Sequence, residues 1–126
     1  MIKGLGIDII NIKRLVDGYN NFGDRFLTKI FTDKEIEYCN LHKNNFEHFA
    51  GKFAVKEAFM KAIGLGIRQG IWFKDIETLN TPEQKPYINL YNKAKLIYNN
   101  LGCPDIHISI THTDDTAAAV LILEKN

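Results

Sequence analysis

The chain has 126 residues, of which 45% are hydrophobic and 25% charged, with a formal net charge of +1. That size suits one domain, residues 1–126, with a core of ordinary dimensions. The balanced charge excludes a globally basic nucleic-acid binder, and no run approaches the roughly 18 apolar residues of a membrane span, so neither nucleic acid nor membrane is an expected partner.

The start, Met1-Ile-Lys-Gly-Leu-Gly6, lacks the apolar core and small-residue cleavage site of a signal peptide. Cys39 and Cys103 lack the close pairing of a redox or zinc motif, so a cytoplasmic protein with reduced thiols is expected. Residues 2–9 are an apolar run interrupted by glycines and read as a buried strand. Within it Asp8 is anomalous. Period-two counting puts it on one face with Gly4 and Gly6, so open space is expected beside its carboxylate. A carboxylate there needs either backbone N–H groups at a helix start or a cation, and the residues leave both readings open. A helix follows with Ile12, Leu15 and Val16 as its apolar stripe, until Asn20-Asn-Phe-Gly23 interrupts it. Arg25 to Phe31 gives another apolar edge with basic residues interleaved. Thr32-Asp-Lys-Glu35 matches a capping box, which predicts a short helix through Cys39 or Leu41.

The stretch from Phe49 to Gly66 organises the chain. Ala50, Ala54, Ala58 and Ala62 recur every four positions, Phe46, Phe49, Phe53, Met60 and Ile63 keep helical spacing, and Gly64 stops the helix. Glu57 and Lys61 lie one turn apart beside that packed seam. As a surface pair alone they would contribute only about 0.3–0.5 kcal/mol. Further on, Trp72-Phe73 and Ile76 to Leu79 predict a strand, Asn80 to Pro86 a turn, and Tyr87 to Leu90 the strand that pairs back. A helix from about Tyr91 is closed by Gly102 and Pro104. Ile106, Ile108 and Ile110 then alternate with His107, Ser109 and Thr111, a turn falls near Asp114-Asp115, and Ala117 to Leu123 returns. This order predicts an α+β fold, an antiparallel sheet with the long helix packed on it. Gly64-Leu-Gly66 follows a helix where dinucleotide-binding and P-loop motifs precede one, which disfavours a nicotinamide enzyme or a P-loop kinase.

Asp8 and Glu57, with Lys52, Lys61 and His112 available, suggest a magnesium and phosphate site. Magnesium takes one or two carboxylates, keeps waters, and completes its shell with phosphate oxygens. Ser109, Thr111, His112 and Thr113 cluster as phosphate donors, with a structural histidine at the strand end as the plainer alternative. Arg14, Arg25 and Lys29, with Phe26 among them, are either solvated charges or a docking patch for an acidic protein.

Three segments carry a resemblance: Gly4-Leu-Gly-Ile-Asp8-Ile, Phe49-Ala-Gly-Lys-Phe-Ala-Val-Lys-Glu57-Ala-Phe-Met-Lys61-Ala-Ile-Gly-Leu-Gly66, and His107-Ile-Ser-Ile-Thr-His112-Thr. With Lys85-Pro86-Tyr87 between them, they resemble the short bacterial holo-[acyl-carrier-protein] synthases of the 4′-phosphopantetheinyl transferase superfamily, over essentially the whole chain. The resemblance implies magnesium-dependent transfer of 4′-phosphopantetheine from coenzyme A to a serine of apo acyl carrier protein, in fatty acid biosynthesis, with release of adenosine 3′,5′-bisphosphate. Asp8 and Glu57 match the magnesium ligands, and Lys61 the lysine one turn beyond the glutamate. Lys43, Lys52, Gly64, Gly66, Pro86, Ser109, His112 and Thr113 match coenzyme A positions, and Arg14, Arg25, Phe26 and Lys29 fall on the carrier-protein surface. Glu57, Asp8 and a metal-bound water all remain open as the group that takes the serine proton. Short members resemble homotrimers with sites between subunits, so His112 is expected to serve a neighbour's Asp8 and Glu57.

The chain also departs from the family pattern. Lys52 stands where arginine is usual, losing the bidentate fork, and Leu65 stands where Gly-Thr-Gly is common. Two rivals remain: a non-catalytic scaffold that binds the carrier, which would lack one acid or Lys61, and a magnesium phosphotransferase using a nucleotide, which would need a phosphate-binding loop ahead of a helix.

Overall fold

In the computed structural model, which describes residues 1–126, the chain runs β1 (Ile2–Asn11), α1 (Ile12–Phe22), α2 (Asp24–Ile30), α3 (Asp33–Asn40), α4 (Asn45–Ile63), β2 (Ile76–Asn80), β3 (Pro86–Leu90), α5 (Asn92–Asn100), β4 (Asp105–His112) and β5 (Thr116–Glu124). Three strands form an antiparallel sheet in the order β1-β5-β4, and β2 and β3 make a separate hairpin. The fold is therefore α+β, with α4 laid across the three-stranded sheet as expected. No helix is long and apolar enough to cross a membrane.

Small residues set how closely α4 and the sheet meet. Ala50, Ala54 and Ala58 are fully buried on the sheet-facing side of α4. A Cβ added to Gly6 would fall 1.8 Å from the Ala58 carbonyl oxygen, and one on Gly4 would fall 2.3 Å from that of Ala62. This corrects the expectation of open space beside Asp8: the glycine face is filled by helix backbone. Phe31, Phe49, Phe59, Ile71, Ile76, Leu121 and Leu123 complete the core around this contact.

Two further local expectations change. Arg25 to Ile30 is helical, begun by Gly23 at φ 66°, and the Phe26 ring lies where a Cβ on Gly18 would be, 2.3 Å from Phe26 Cε1. Trp72-Phe73 is not strand. Phe73–Asp75 forms a single 3-10 turn because Asp75 Oδ2 accepts from the Trp72 amide at 3.1 Å, so the strand starts only at Ile76.

The capping box at Thr32 is present, with Thr32 Oγ1 accepting from the Glu35 amide at 3.3 Å and Glu35 Oε1 from the Thr32 amide at 2.9 Å. Glu35 does more than cap. It is fully buried and receives the Lys56 ammonium at 2.8 Å and the Thr78 amide at 2.9 Å. Lys56 spends its other two protons on the carbonyl oxygens of Phe73 at 2.9 Å and Ile76 at 2.5 Å. Burial pushes the Lys56 pKa down, and the Glu35 carboxylate opposes that shift. This pair ties α3, α4 and β2 together, and removing one partner of such a pair costs about 3–5 kcal/mol.

Gly6→Ala should destabilise the fold by about 1–3 kcal/mol through overpacking against the Ala58 carbonyl. Thermal unfolding followed by circular dichroism checks this; an unchanged midpoint would show that the β1–α4 contact is looser than described.

Candidate active site

β1 delivers Asp8 to the C-terminal half of α4, where Lys61 reaches back across the seam. Lys61 Nζ donates to Asp8 Oδ1 at 3.1 Å and to the Ile7 carbonyl at 2.9 Å. Neither plain reading from the sequence holds: Asp8 caps no helix, since Asn11 precedes α1, and the ion pair that Lys61 makes is with Asp8, not Glu57. Glu57 lies on the same side of α4, half-buried. Its pKa is raised, first by burial and then by the Asp8 carboxylate, while Lys61 and Arg14 pull it down. Two carboxylates repelling each other beside one ammonium form a local site short of positive charge.

A hollow of about 410 Å³ opens onto this cluster, lined by Glu57, Lys61, Gly64, Gly66 and Arg68 among others. Gly64, at φ 72°, ends α4 in the left-handed conformation and turns the chain along the rim. Arg68 escaped the sequence reading. Its signal was a cation two positions beyond Gly66, on a loop with no periodicity to mark it.

Lys52, Pro86, Ser109 and His112 gather elsewhere, in a hollow of about 590 Å³ that also receives Tyr38, His42, Glu47 and His48. Lys52 is only 3% exposed, and its ammonium donates to the Thr78 carbonyl at 2.6 Å and Asn80 Oδ1 at 3.1 Å, 4.5 Å above the Tyr38 ring. Two of its three protons therefore hold the β2–β3 hairpin, and burial lowers its pKa. His112 Nδ1 stands 3.3 Å from Glu47 Oε2. Lys43 and Thr113 do not line this hollow. Lys43 is exposed after α3, and the Thr113 hydroxyl is engaged in the β4–β5 turn, donating to Asp115 Oδ1 at 2.9 Å and accepting from the Thr116 amide at 3.2 Å.

The two hollows occupy different halves of α4. Glu47, beside His112, and Glu57 are separated by about 15 Å along the axis at 1.5 Å rise per residue. One chain therefore does not bring His112 to Asp8 and Glu57.

Arg14 on α1 and Arg25 and Lys29 on α2 are exposed, and Phe26 is half-buried among them. Arg25, Phe26 and Lys29 line a shallow hollow of about 550 Å³ together with Asn21 and Phe22. Phe22, 69% exposed, was missed because the sequence placed it in an interruption at Asn20–Gly23; the helix instead runs through Phe22 and ends at Gly23. Arg14 lies close enough to Glu57 to bias its titration, so this basic face borders the carboxylates. The outer face of the sheet is apolar as well: Leu5, Ile7 and Ile9 are 61%, 65% and 71% exposed.

The profile of the 4′-phosphopantetheinyl transferase superfamily matches residues 4–120. The holo-[acyl-carrier-protein] synthase of Koribacter versatilis is 44% identical over 124 residues, covering 98% of this chain and 99% of that protein. The crystal structure of the holo-(acyl-carrier-protein) synthase of Bacillus anthracis in complex with CoA (3′,5′-ADP) superposes with a TM-score of 0.78 at 34% identity, covering 100% of this chain and 99% of that one. That of the Helicobacter pylori holo-[acyl-carrier-protein] synthase in complex with coenzyme A superposes with a TM-score of 0.83 at 32% identity, covering 95% and 99%. With motif, sequence and fold in agreement over nearly its full length, the chain belongs to the holo-[acyl-carrier-protein] synthases of the 4′-phosphopantetheinyl transferase superfamily.

Proposed function

We propose that this protein transfers the 4′-phosphopantetheine group of coenzyme A to a serine of apo acyl carrier protein, as a magnesium-dependent homotrimer in the cytoplasm serving fatty acid biosynthesis. The observation that carries this reading is the convergence of Asp8, Glu57 and Lys61 where β1 meets α4. Coenzyme A and acyl carrier protein come from the names and bound ligands of the relatives.

In this reaction the serine oxygen forms a bond to the pantetheine-side phosphorus. The P–O bond to the bridging oxygen breaks, and that oxygen leaves with adenosine 3′,5′-bisphosphate. The serine proton passes to a base, for which Glu57 and Asp8 are this chain's own candidates. The Lys61 ammonium, held on Asp8 and the Ile7 carbonyl, is placed to offset charge on the departing phosphate.

The carboxylate pair fits magnesium by its chemistry. No group of three or more His, Cys, Asp or Glu side chains is arranged to hold an ion, so two carboxylates must suffice, and magnesium accepts that when phosphate oxygens complete its shell. Mutual repulsion between Asp8 and Glu57 is what such a cation would relieve. Magnesium bound there supplies charge neutralisation on the pyrophosphate.

Assembly between subunits is supported by two features. The apolar outer face at Leu5, Ile7 and Ile9 needs a cover, and the Lys52–His112 hollow lies too far along α4 to serve its own carboxylates. Arg14, Arg25, Phe26 and Lys29, joined by Phe22, offer a basic, aromatic face for an acidic carrier.

Incubation of apo acyl carrier protein with this protein, coenzyme A and magnesium should add the phosphopantetheine mass to the carrier serine. Glu57→Ala or a chelator should abolish the addition, and Lys61→Ala should slow it by about 100- to 1,000-fold. A folded protein that adds no mass would refute the reading. In steady-state kinetics, the Arg25→Glu/Lys29→Glu double variant should raise KM for the carrier and flatten its salt dependence while leaving coenzyme A affinity unchanged. An unaltered carrier KM would place docking elsewhere.

A further inference from the structure

Three imidazoles meet in the Lys52–His112 hollow, and two of them were no part of the sequence motifs. The His42 and His48 rings stack with centroids 4.0 Å apart at 33°, and His112 meets His48 at 5.9 Å and 61°. Tyr38 walls the stack, 4.9 Å from His42 and 5.9 Å from His48. His42 Nδ1 lies 3.0 Å from the Tyr38 carbonyl, which can only accept, so this nitrogen carries the proton and Nε2 is left for another partner. The carboxylate in the hollow, Glu47, is already placed against His112. The remaining polar wall is Lys52 with one uncommitted proton, the Ser109 hydroxyl, and Asn80 and Gln84, whose amide oxygens already accept from Lys52 and from the Tyr38 hydroxyl.

Such a stack resists becoming charged on its own. A proton on either ring faces its neighbour at stacking distance and loses solvation in the hollow. The groups facing His48 are Tyr38 from α3, His42 from the loop after it, Glu47 and Lys52 from α4, and His112 from β4. Burial, then His42, His112 and Lys52, push the His48 pKa below the ordinary histidine value, with Glu47 opposing weakly. An arriving anion reverses that balance, because it attracts the charge that the neighbours repel.

We propose that the His42–His48 stack is a proton-linked phosphate subsite, at which a phosphate group of coenzyme A binds together with a proton taken up from solvent. The identity of the ligand rests on the proposed transferase function; the proton linkage rests on the stack itself. The consequence is a pH-sensitive substrate affinity. Affinity is highest where His48 is protonated in the complex and falls as pH rises through the histidine range of the bound state, by up to about tenfold per pH unit for each proton taken up.

Isothermal titration of coenzyme A into the magnesium-loaded protein between about pH 6.5 and about pH 8, in buffers of different ionisation enthalpy, counts the protons taken up. The native protein should take up close to one proton per site more than His48→Gln or His42→Gln. His48→Lys, which carries a permanent charge, should bind tightly with a flattened pH slope. Dephospho-coenzyme A separates the two phosphate sources: loss of the linkage assigns the 3′-monoester, and its retention assigns the pyrophosphate. Coenzyme A binding with the same proton uptake in the folded glutamine variants as in the native protein would overturn the subsite and leave the transferase reading intact. Failure of coenzyme A to bind at any pH would overturn both.

Discussion

The contact on which this structure depends is the approach of β1 to α4, close enough that the Gly6 backbone occupies the room a side chain would need beside the Ala58 carbonyl. Glycine on the strand and alanine on the helix are both required, because either partner with a larger side chain would hold the two apart. That proximity has a chemical result. Asp8, one pleat beyond Gly6, is carried into reach of Lys61, and its charge acts on Glu57. The site is thus set by backbone packing before any ligand enters.

A second constraint works from the other flank of α4. Lys52 and Lys56 leave the helix one turn apart and reach under the β2–β3 hairpin, where they are satisfied by Thr78, Asn80, Glu35, Phe73 and Ile76. Both ammonium groups are buried at a desolvation cost that is met only because nearly every donor is used. Cys39 shares this interior, and burial pushes its thiol up to about 12, which leaves it inert as a nucleophile. The network gives the hairpin one seat, and the hairpin in turn forms a wall of the hollow that holds His112.

Much of this was legible because it is periodic or local. The alanine repeat of α4, the capping box at Thr32, the stop at Gly64 and the alternating isoleucines of β4 are patterns whose cause lies within a few residues. What stayed hidden depends on residues distant in sequence. Lys56 carries no mark of burial in its local sequence, because Glu35 and the carbonyls of Phe73 and Ile76 are brought to it only by the fold. Gly4 and Gly6 marked a close approach correctly in kind, but period-two counting alone suggested vacancy where helix backbone stands. Trp72-Phe73 satisfied strand propensity, yet one hydrogen bond from the Trp72 amide to the Asp75 carboxylate turned it. His42 and His48 carry no spacing signal, since their stack is made by the path of the chain between α3 and α4.

The carboxylates and the His112 hollow sit on different halves of one helix, so the proposed trimer is needed to join a hollow on one subunit to carboxylates on the next. Co-expression of Glu57→Ala and His112→Ala chains tests this most directly, because each variant lacks a different half. If sites form between subunits, each variant alone is inactive in carrier modification, and random mixed assemblies recover about a quarter of the native rate through interfaces that pair two intact halves. If mixed assemblies are no more active than the separate variants, each site is complete within one chain, and the division of α4 between two active sites is wrong.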